Sequence, residues 1–202
     1  MAQQNPIYVT PAGELLYPHL VTPDTKFVPE GIYDAKIILT PSDERDALIK
    51  VIETAHEDSR RAAAKENPKT KIKTADLPYD EESDDDGNLT GNIVLHAKMK
   101  AYVKTKAGKE WSQSPDLFDA RNQKITGQIN PWSGTVAKLA FEVIPFFTAL
   151  IGAGVTLRLK AAQILTLVEG GTRSAEDYGF EQDADGYEHE TTAADEEEVV
   201  PF

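Results

Sequence analysis

Three lysines and a tyrosine recur at alternate positions in the middle of the chain: Lys98, Lys100, Tyr102 and Lys104. Alternate residues of a β-strand point to the same face and lie about 6.6 Å apart. That spacing is close to the distance between phosphates along a nucleic-acid strand, and lysine side chains neutralise phosphates. A tyrosine on the same face can stack against a base. The pattern therefore indicates binding of a polyanion.

A strand predicted over 92–104 would position these residues. Its other face carries Ile93, Leu95, Ala97, Met99, Ala101 and Val103. Period-two alternation of this length is typical of a strand with one buried and one exposed face. Because an ordinary solvated sheet face shows the same alternation, the lysines alone leave nucleic-acid binding and simple solvation both open.

Other basic and aromatic residues extend the candidate DNA-binding set. They are Lys106 and Lys109 at a predicted turn, Trp111 on a predicted return strand, Arg158 and Lys160 on the last predicted strand, and Lys71 and Lys73 in a long loop. Aromatic residues in strands more often pack than stack a base, so both roles remain open for Tyr102 and Trp111. The loop lysines either form a flexible basic flap over nucleic acid or balance the acidic residues beside them.

The remaining patterns predict a mainly β protein. Strands are expected over 31–39, 92–104, 110–112, 136–144 and 155–162, and a helix with Ser42 as N-cap is expected to end at Asn67. The apolar stripe of that helix comprises Leu48, Val51, Ile52, Ala55 and Ala62. Five mostly antiparallel strands with one long helix after the first strand fit a five-stranded OB-fold-like barrel. A β-sandwich is the main alternative.

Composition divides the chain into three parts. Residues 1–30 contain five prolines and predict an extended N-terminal arm. Residues 31–171 form the predicted barrel domain, in which 67–91 is a long loop with an acidic insert at 80–86. Residues 172–202 are predicted to be a disordered acidic tail, because Glu176 to Phe202 holds eleven acidic residues and no Lys or Arg.

The net charge of −13 conceals an uneven distribution. Removing the eleven tail acids leaves 23 acidic and 21 basic residues, and removing the six acids of the insert as well leaves a charge of +4. A mildly basic body thus carries two acidic segments, and local potential governs association with a partner.

The residue types give no positive case for an enzyme. The chain has no cysteine, and its four histidines have no ligand spacing. The acidic insert fails as a calcium loop because Ile93 falls where a carboxylate is required. We expect no metal site, no cofactor and no membrane segment, and a metal-dependent nuclease is a distant alternative.

The chain resembles bacteriophage single-stranded-DNA-binding proteins of the OB-fold replication type, from about Gly31 to Val168. The pattern is Trp111…Pro115…Phe118-Asp119-Ala120…Lys124-Ile125…Trp132-Ser133-Gly134…Gly154-Val155…Leu157…Leu159-Lys160-Ala161-Ala162-Gln163. The acidic end closed by Pro201-Phe202 is similar to their tails as well.

This resemblance implies sequence-independent coating of single-stranded DNA during replication, recombination and repair in the host cytoplasm. It also implies a tail that competes with DNA for the binding groove and recruits a polymerase, helicase or primase, with self-association as a further expectation. The tail residues concerned are Asp195, Glu196, Glu197, Glu198, Pro201 and Phe202. The alternative is an adaptor or structural module that acts through the tail and does not bind DNA.

Overall fold

The computed structural model describes residues 5–84, 86–105 and 108–170. Its elements in chain order are β1 (Ile7–Val9), β2 (Gly13–Asp24), β3 (Ile32–Leu39), α1 (Asp43–Glu66), β4 (Tyr79–Ser83), β5 (Leu89–Lys100), β6 (Tyr102–Lys104), β7 (Glu110–Ser112), β8 (Asp116–Phe118), β9 (Val136–Thr148) and β10 (Gly152–Thr166). Within these residues, no helix has the length and apolar content required to span a bilayer.

Five strands close into a ring in the order β2–β3–β5–β10–β9 and back to β2. The β5–β10 pairing is parallel, and the other four pairings are antiparallel. Strands β1, β4 and β8 extend the sheet beside β9, β5 and β10, while β6 and β7 form a separate hairpin. The predicted mainly β, five-stranded OB-fold-like barrel is confirmed.

The N-terminal arm predicted over 1–30 is corrected, because it contains β2, the first strand of the ring. Leu15 and Leu20 of β2 are buried in the core. The register of β2 against β3 shifts between Leu16 and His19, and Tyr17 has a φ of 45° there. This bulge accommodates Pro18, which cannot donate a ladder hydrogen bond. The helix consequently follows the second strand of the ring.

Helix α1 begins and ends as its sequence predicts. Ser42 Oγ accepts the Arg45 N–H at 3.1 Å, and Asn67 is the C-cap. Its buried residues are Leu48, Ile52, His56, Ser59 and Ala63, so the inward face is rotated from the predicted stripe and Ala62 is exposed. The helix packs on β9 and β10, and His56 Nε2 donates to Ala75 O at 2.9 Å.

Three strand assignments also change. The strand predicted over 92–104 ends at Lys100, and its last three residues form β6. The irregular connection predicted over 67–91 contains β4, which pairs with β5. A bulge between Leu159 and Ala161 reverses the predicted alternation at the end of β10, so Ala162 is buried instead of Ala161.

The assignment of β2 to the barrel predicts a large stability loss for Leu15→Ala. Removing this buried side chain should lower the free energy of unfolding by about 2–5 kcal/mol, because it leaves a cavity in the core. Val21→Ala on the same strand is the control, since Val21 is 42% exposed. Urea unfolding measures both variants, and equal small losses would contradict the role of β2.

Candidate nucleic-acid interface

One row of outward-facing residues crosses the five strands of the barrel. It runs through Cα partners from His19 on β2 to Asp34, Lys98, Arg158 and finally Glu142 on β9. The inward neighbours on β5 are buried: Ile93, Leu95, Ala97 and Met99. The sequence-predicted Lys98 thus lies at the middle of the row, on β5, which pairs with both β3 and β10.

The cations of this face differ in their ion pairing. Arg158 Nη1 lies 3.3 Å from Glu142 Oε2, and Lys160 Nζ lies 3.8 Å from Glu142 Oε1. One carboxylate therefore serves two cations. Among the residues that the structure describes, Lys98 and Lys100 have no carboxylate within ion-pair distance, and both are exposed. Their charges are available to a polyanion without prior loss of a salt bridge.

Asp34, one of the two acidic members of the row, is held by two histidines. Its carboxylate accepts from His19 Nδ1 at 3.1 Å and from His96 Nε2 at 3.3 Å. Partial burial raises the pKa of Asp34, but the His96 hydrogen bond and the charges of both histidines outweigh that effect. The pKa of this carboxyl therefore lies below its ordinary value of 3.8.

The β6–β7 hairpin projects from the end of β5 and carries the predicted aromatic residues. Gln113 ties it to the barrel, because its backbone N–H donates to Ala101 O at 2.8 Å and its Nε2 donates to Lys100 O at 2.9 Å. Trp111 is 38% exposed, and the Lys109 ammonium lies 5.7 Å from its ring centre. An exposed indole beside a cation has the chemistry required to stack a base.

Glu110 engages two of the predicted hairpin residues. The Tyr102 hydroxyl donates to Glu110 Oε2, and the Lys104 ammonium pairs with Glu110 Oε1. The hydrogen bond to Glu110, followed by burial and the charge of Glu30, raises the pKa of Tyr102. Hydrogen bonds from Lys104 and Tyr102 lower the pKa of Glu110. The Lys104 charge is thus balanced locally, which leaves Lys109 as the unpaired cation in the described part of the hairpin.

The structure does not bring Lys71 and Lys73 to this row. Lys73 O accepts the Ala153 N–H at 2.9 Å, so this segment lies along the beginning of β10. Ala153 is five residues from Arg158, which corresponds to about 16 Å along a strand. The structure therefore does not place these two lysines in a flap over Lys98. Lys106 and the tail residues 195–198, 201 and 202 lie outside the described residues.

Basic and aromatic residues that the sequence patterns did not single out lie on two neighbouring elements. Lys36 is exposed on β3, with His96 as its Cα partner on β5. Phe27, in the β2–β3 loop, is 84% exposed, and the Lys26 ammonium lies 5.5 Å from its ring centre. The loop abuts the base of the hairpin, since Ala101 N–H donates to Gly31 O at 3.0 Å. The Lys26-Phe27 pair, a cation beside an aromatic residue, could have indicated a stacking ring from the sequence. The prolines around it predicted an extended arm instead.

The face carries charges and aromatic rings. Among the described residues, no group of three or more His, Asp or Glu side chains is arranged to hold a metal ion. A hollow of about 370 Å³ is lined by Asp119, Arg121 and Ile125 among others, away from the charged row. The row is suited to electrostatic contacts with an extended polyanion, and the exposed rings of Trp111 and Phe27 are suited to stacking.

A family model described as the single-stranded-DNA-binding protein of Enterobacter phage Enc34 matches residues 9–190. The chain belongs to this family. No curated protein sequence matches the chain. The family assignment agrees with the phage resemblance of the sequence.

Solved structures show the same fold. The chain is similar to gp2.5, a single-stranded-DNA-binding protein encoded by bacteriophage T7, with 20% identity, a TM-score of 0.71 and coverage of 93% of this chain and 100% of that one. It is also similar to the bacteriophage Enc34 protein in complex with single-stranded DNA, with 17% identity, a TM-score of 0.52 and coverage of 81% and 88%. At these identities, the likeness establishes the barrel of this Enc34-family member and not the role of any side chain.

The histidine contacts of Asp34 predict a pH-dependent effect of Asp34→Asn. A carboxyl with a lowered folded-state pKa stabilises the fold above its unfolded pKa, and that stability is lost as the pH falls through the folded pKa. We expect the variant to be less stable than the wild type at pH 5, with a smaller difference at pH 3. Urea unfolding at both pH values measures this, with Asp80→Asn as the control. A difference of the same size at both pH values would refute the stabilising role of Asp34.

Proposed function

We propose that the protein binds single-stranded DNA without sequence preference on the outer face of β3, β5 and β10. The observation that carries the proposal is the position of Lys98, which lies beside Arg158 at the centre of the charged row without an ion-pair partner among the described residues. The family assignment supports the nature of the ligand. In this proposal the protein acts as a binding protein and not as an enzyme, and it carries out no reaction on the DNA.

The proposed contacts separate charge from stacking. Lys98, Lys100 and Lys36 neutralise phosphates, and Arg158 and Lys160 turn from Glu142 towards the DNA backbone as it arrives. Trp111 provides a ring on which a base can stack, and Phe27 offers a second ring across the base of the hairpin. Phosphates and π-faces are common to all nucleotides, so such contacts are independent of sequence.

This activity would serve phage DNA replication, recombination and repair in the host cytoplasm, where single strands must be kept accessible. We propose that the acidic tail recruits a polymerase, helicase or primase, with Phe202 as the apolar contact and Asp195, Glu196, Glu197 and Glu198 around it. Self-association on DNA is compatible with this role. The competing hypothesis is an adaptor that acts through its tail alone and whose lysines are merely solvated.

The charge distribution supports competition between tail and DNA. The segment 176–202 carries eleven acidic residues, whereas the chain without its two acidic segments has a charge of +4. A tethered segment has an effective concentration in the mM range when its linker is short and flexible. It can therefore occupy a basic surface weakly until DNA displaces it, and the displaced tail becomes available to a partner.

Charge reversal at Lys98 or Lys100 should weaken DNA binding and its dependence on salt. Each lost phosphate contact should make the slope of log K against log salt shallower by about 0.7 and reduce affinity at least about fivefold at 0.1 M salt. Titrating oligo-dT into Lys98→Glu and Lys100→Glu at several salt concentrations measures both quantities. Lys50→Glu is the matched control, because Lys50 is exposed on α1 and lies outside the row. Unchanged affinity and slope in both test variants would show that DNA does not bind this face.

Deleting residues 176–202 should strengthen oligo-dT binding, because it removes the competing polyanion. The gain should be largest at low salt, where attraction between tail and body is least screened. A full-length variant with every tail Asp and Glu replaced by Asn and Gln is the control for chain length, and it should match the deletion. Weaker binding by the truncated protein would contradict the competitor role.

A further inference from the structure

One edge of β5 pairs with β3, and its other edge pairs with two strands, β10 and β4. Ala97 and Lys98 pair with β10, whereas Ile93, Val94 and Leu95 pair with β4. Strand β4 thus pairs with the part of this edge of β5 that β10 does not reach. Its sequence, Tyr79-Asp80-Glu81-Glu82-Ser83, includes the first part of the acidic insert.

The register determines the faces of Tyr79, Asp80 and Glu81, which pair with β5 before the register shifts between Glu81 and Ser83. Asp80 is the Cα partner of Val94, which shares its face with Lys98, so Asp80 lies on the outer face. Tyr79 lies on the opposite face, because its hydroxyl donates to Glu53 Oε1 of α1 at 2.8 Å. Glu81 follows Tyr79 in alternation and shares the helix-facing side.

Glu82 lies at the register shift, and its contacts place it on the side of Asn92, which shares the outer face with Val94. Its Oε2 accepts from Thr90 Oγ1 and from Asn92 Nδ2, each at 2.8 Å. Asp80 is exposed and has no side-chain partner among the described residues. Two carboxylates therefore lie on the outer face at the end opposite Lys98 and Lys100.

We propose that Asp80 and Glu82 form an acidic border that confines single-stranded DNA to the Lys98–Arg158 end of the outer face, an inference that rests on the proposed function. From Val94 to Lys98 is four residues, or about 13 Å. Charges in 0.15 M salt are screened over about 8 Å, so DNA held at Lys98 is little affected by the border. A strand that slides along β5 meets it directly. The border thus directs the DNA across β3, β5 and β10.

The test compares two neighbouring residues that point to opposite faces. Asp80→Lys replaces the border with a cation and should add a phosphate contact. The affinity for oligo-dT should rise about fivefold at 0.1 M salt, and the salt slope should steepen by about 0.7. Glu81→Lys makes the same change in net charge on the helix-facing side and should change affinity less than about twofold. Because an added contact lengthens the bound strand, Asp80→Lys should also occupy more nucleotides per protein than the wild type.

The outcomes separate the border from the proposed function. If the wild type fails to bind oligo-dT, the proposed function itself is wrong. If the wild type binds and the two lysine variants strengthen binding equally, or neither does, the border is wrong while the function stands. The milder pair Asp80→Asn and Glu81→Gln compares the number of occupied nucleotides with less risk to folding, and only Asp80→Asn should lengthen the bound strand.

Discussion

The pairing of Ala97 and Lys98 with Leu157 and Arg158 is the contact on which the rest of the structure depends. This parallel contact between β5 and β10 completes the ring of five strands, and closure protects the barrel strands from edge-to-edge association. It also sets a lysine beside an arginine on the outer face. Because it uses only one end of β5, the remaining edge is left to the acidic β4.

Local patterns predicted the elements that depend on local physics. Strand β5 alternates without interruption, and α1 has a Ser42 cap and an apolar stripe, so both follow from the sequence. The errors arise where tertiary pairing overrides a local rule. Pro18 argued against a strand, yet a bulge at Tyr17 lets β2 close the ring. A second bulge after Leu159 changes which residues of β10 face inward, and no residue type at that position predicts a bulge.

The sequence predicted candidate DNA-binding residues on several elements, and the structure brings together only some of them. Arg158 of β10 lies beside Lys98 of β5, whereas Lys73 lies at the beginning of β10. Lys98 and Lys100 could be identified because their alternation is contained within β5. The Glu110 contacts of Tyr102 and Lys104 depend on a hairpin pairing that spacing alone does not reveal. The net charge of −13 is equally uninformative, because half of the acidic residues lie in the two segments 80–86 and 176–202 and potentials are local.

Ultraviolet crosslinking of oligo-dT to the full-length protein, with identification of the modified peptides, tests the location of the DNA most directly. The account predicts crosslinks in the β6–β7 hairpin at Trp111 and in the β2–β3 loop at Phe27, and these should decline as salt rises. Saturable oligo-dT binding with crosslinks confined to residues distant from this face, such as Tyr79 on the helix-facing side of β4, would contradict it.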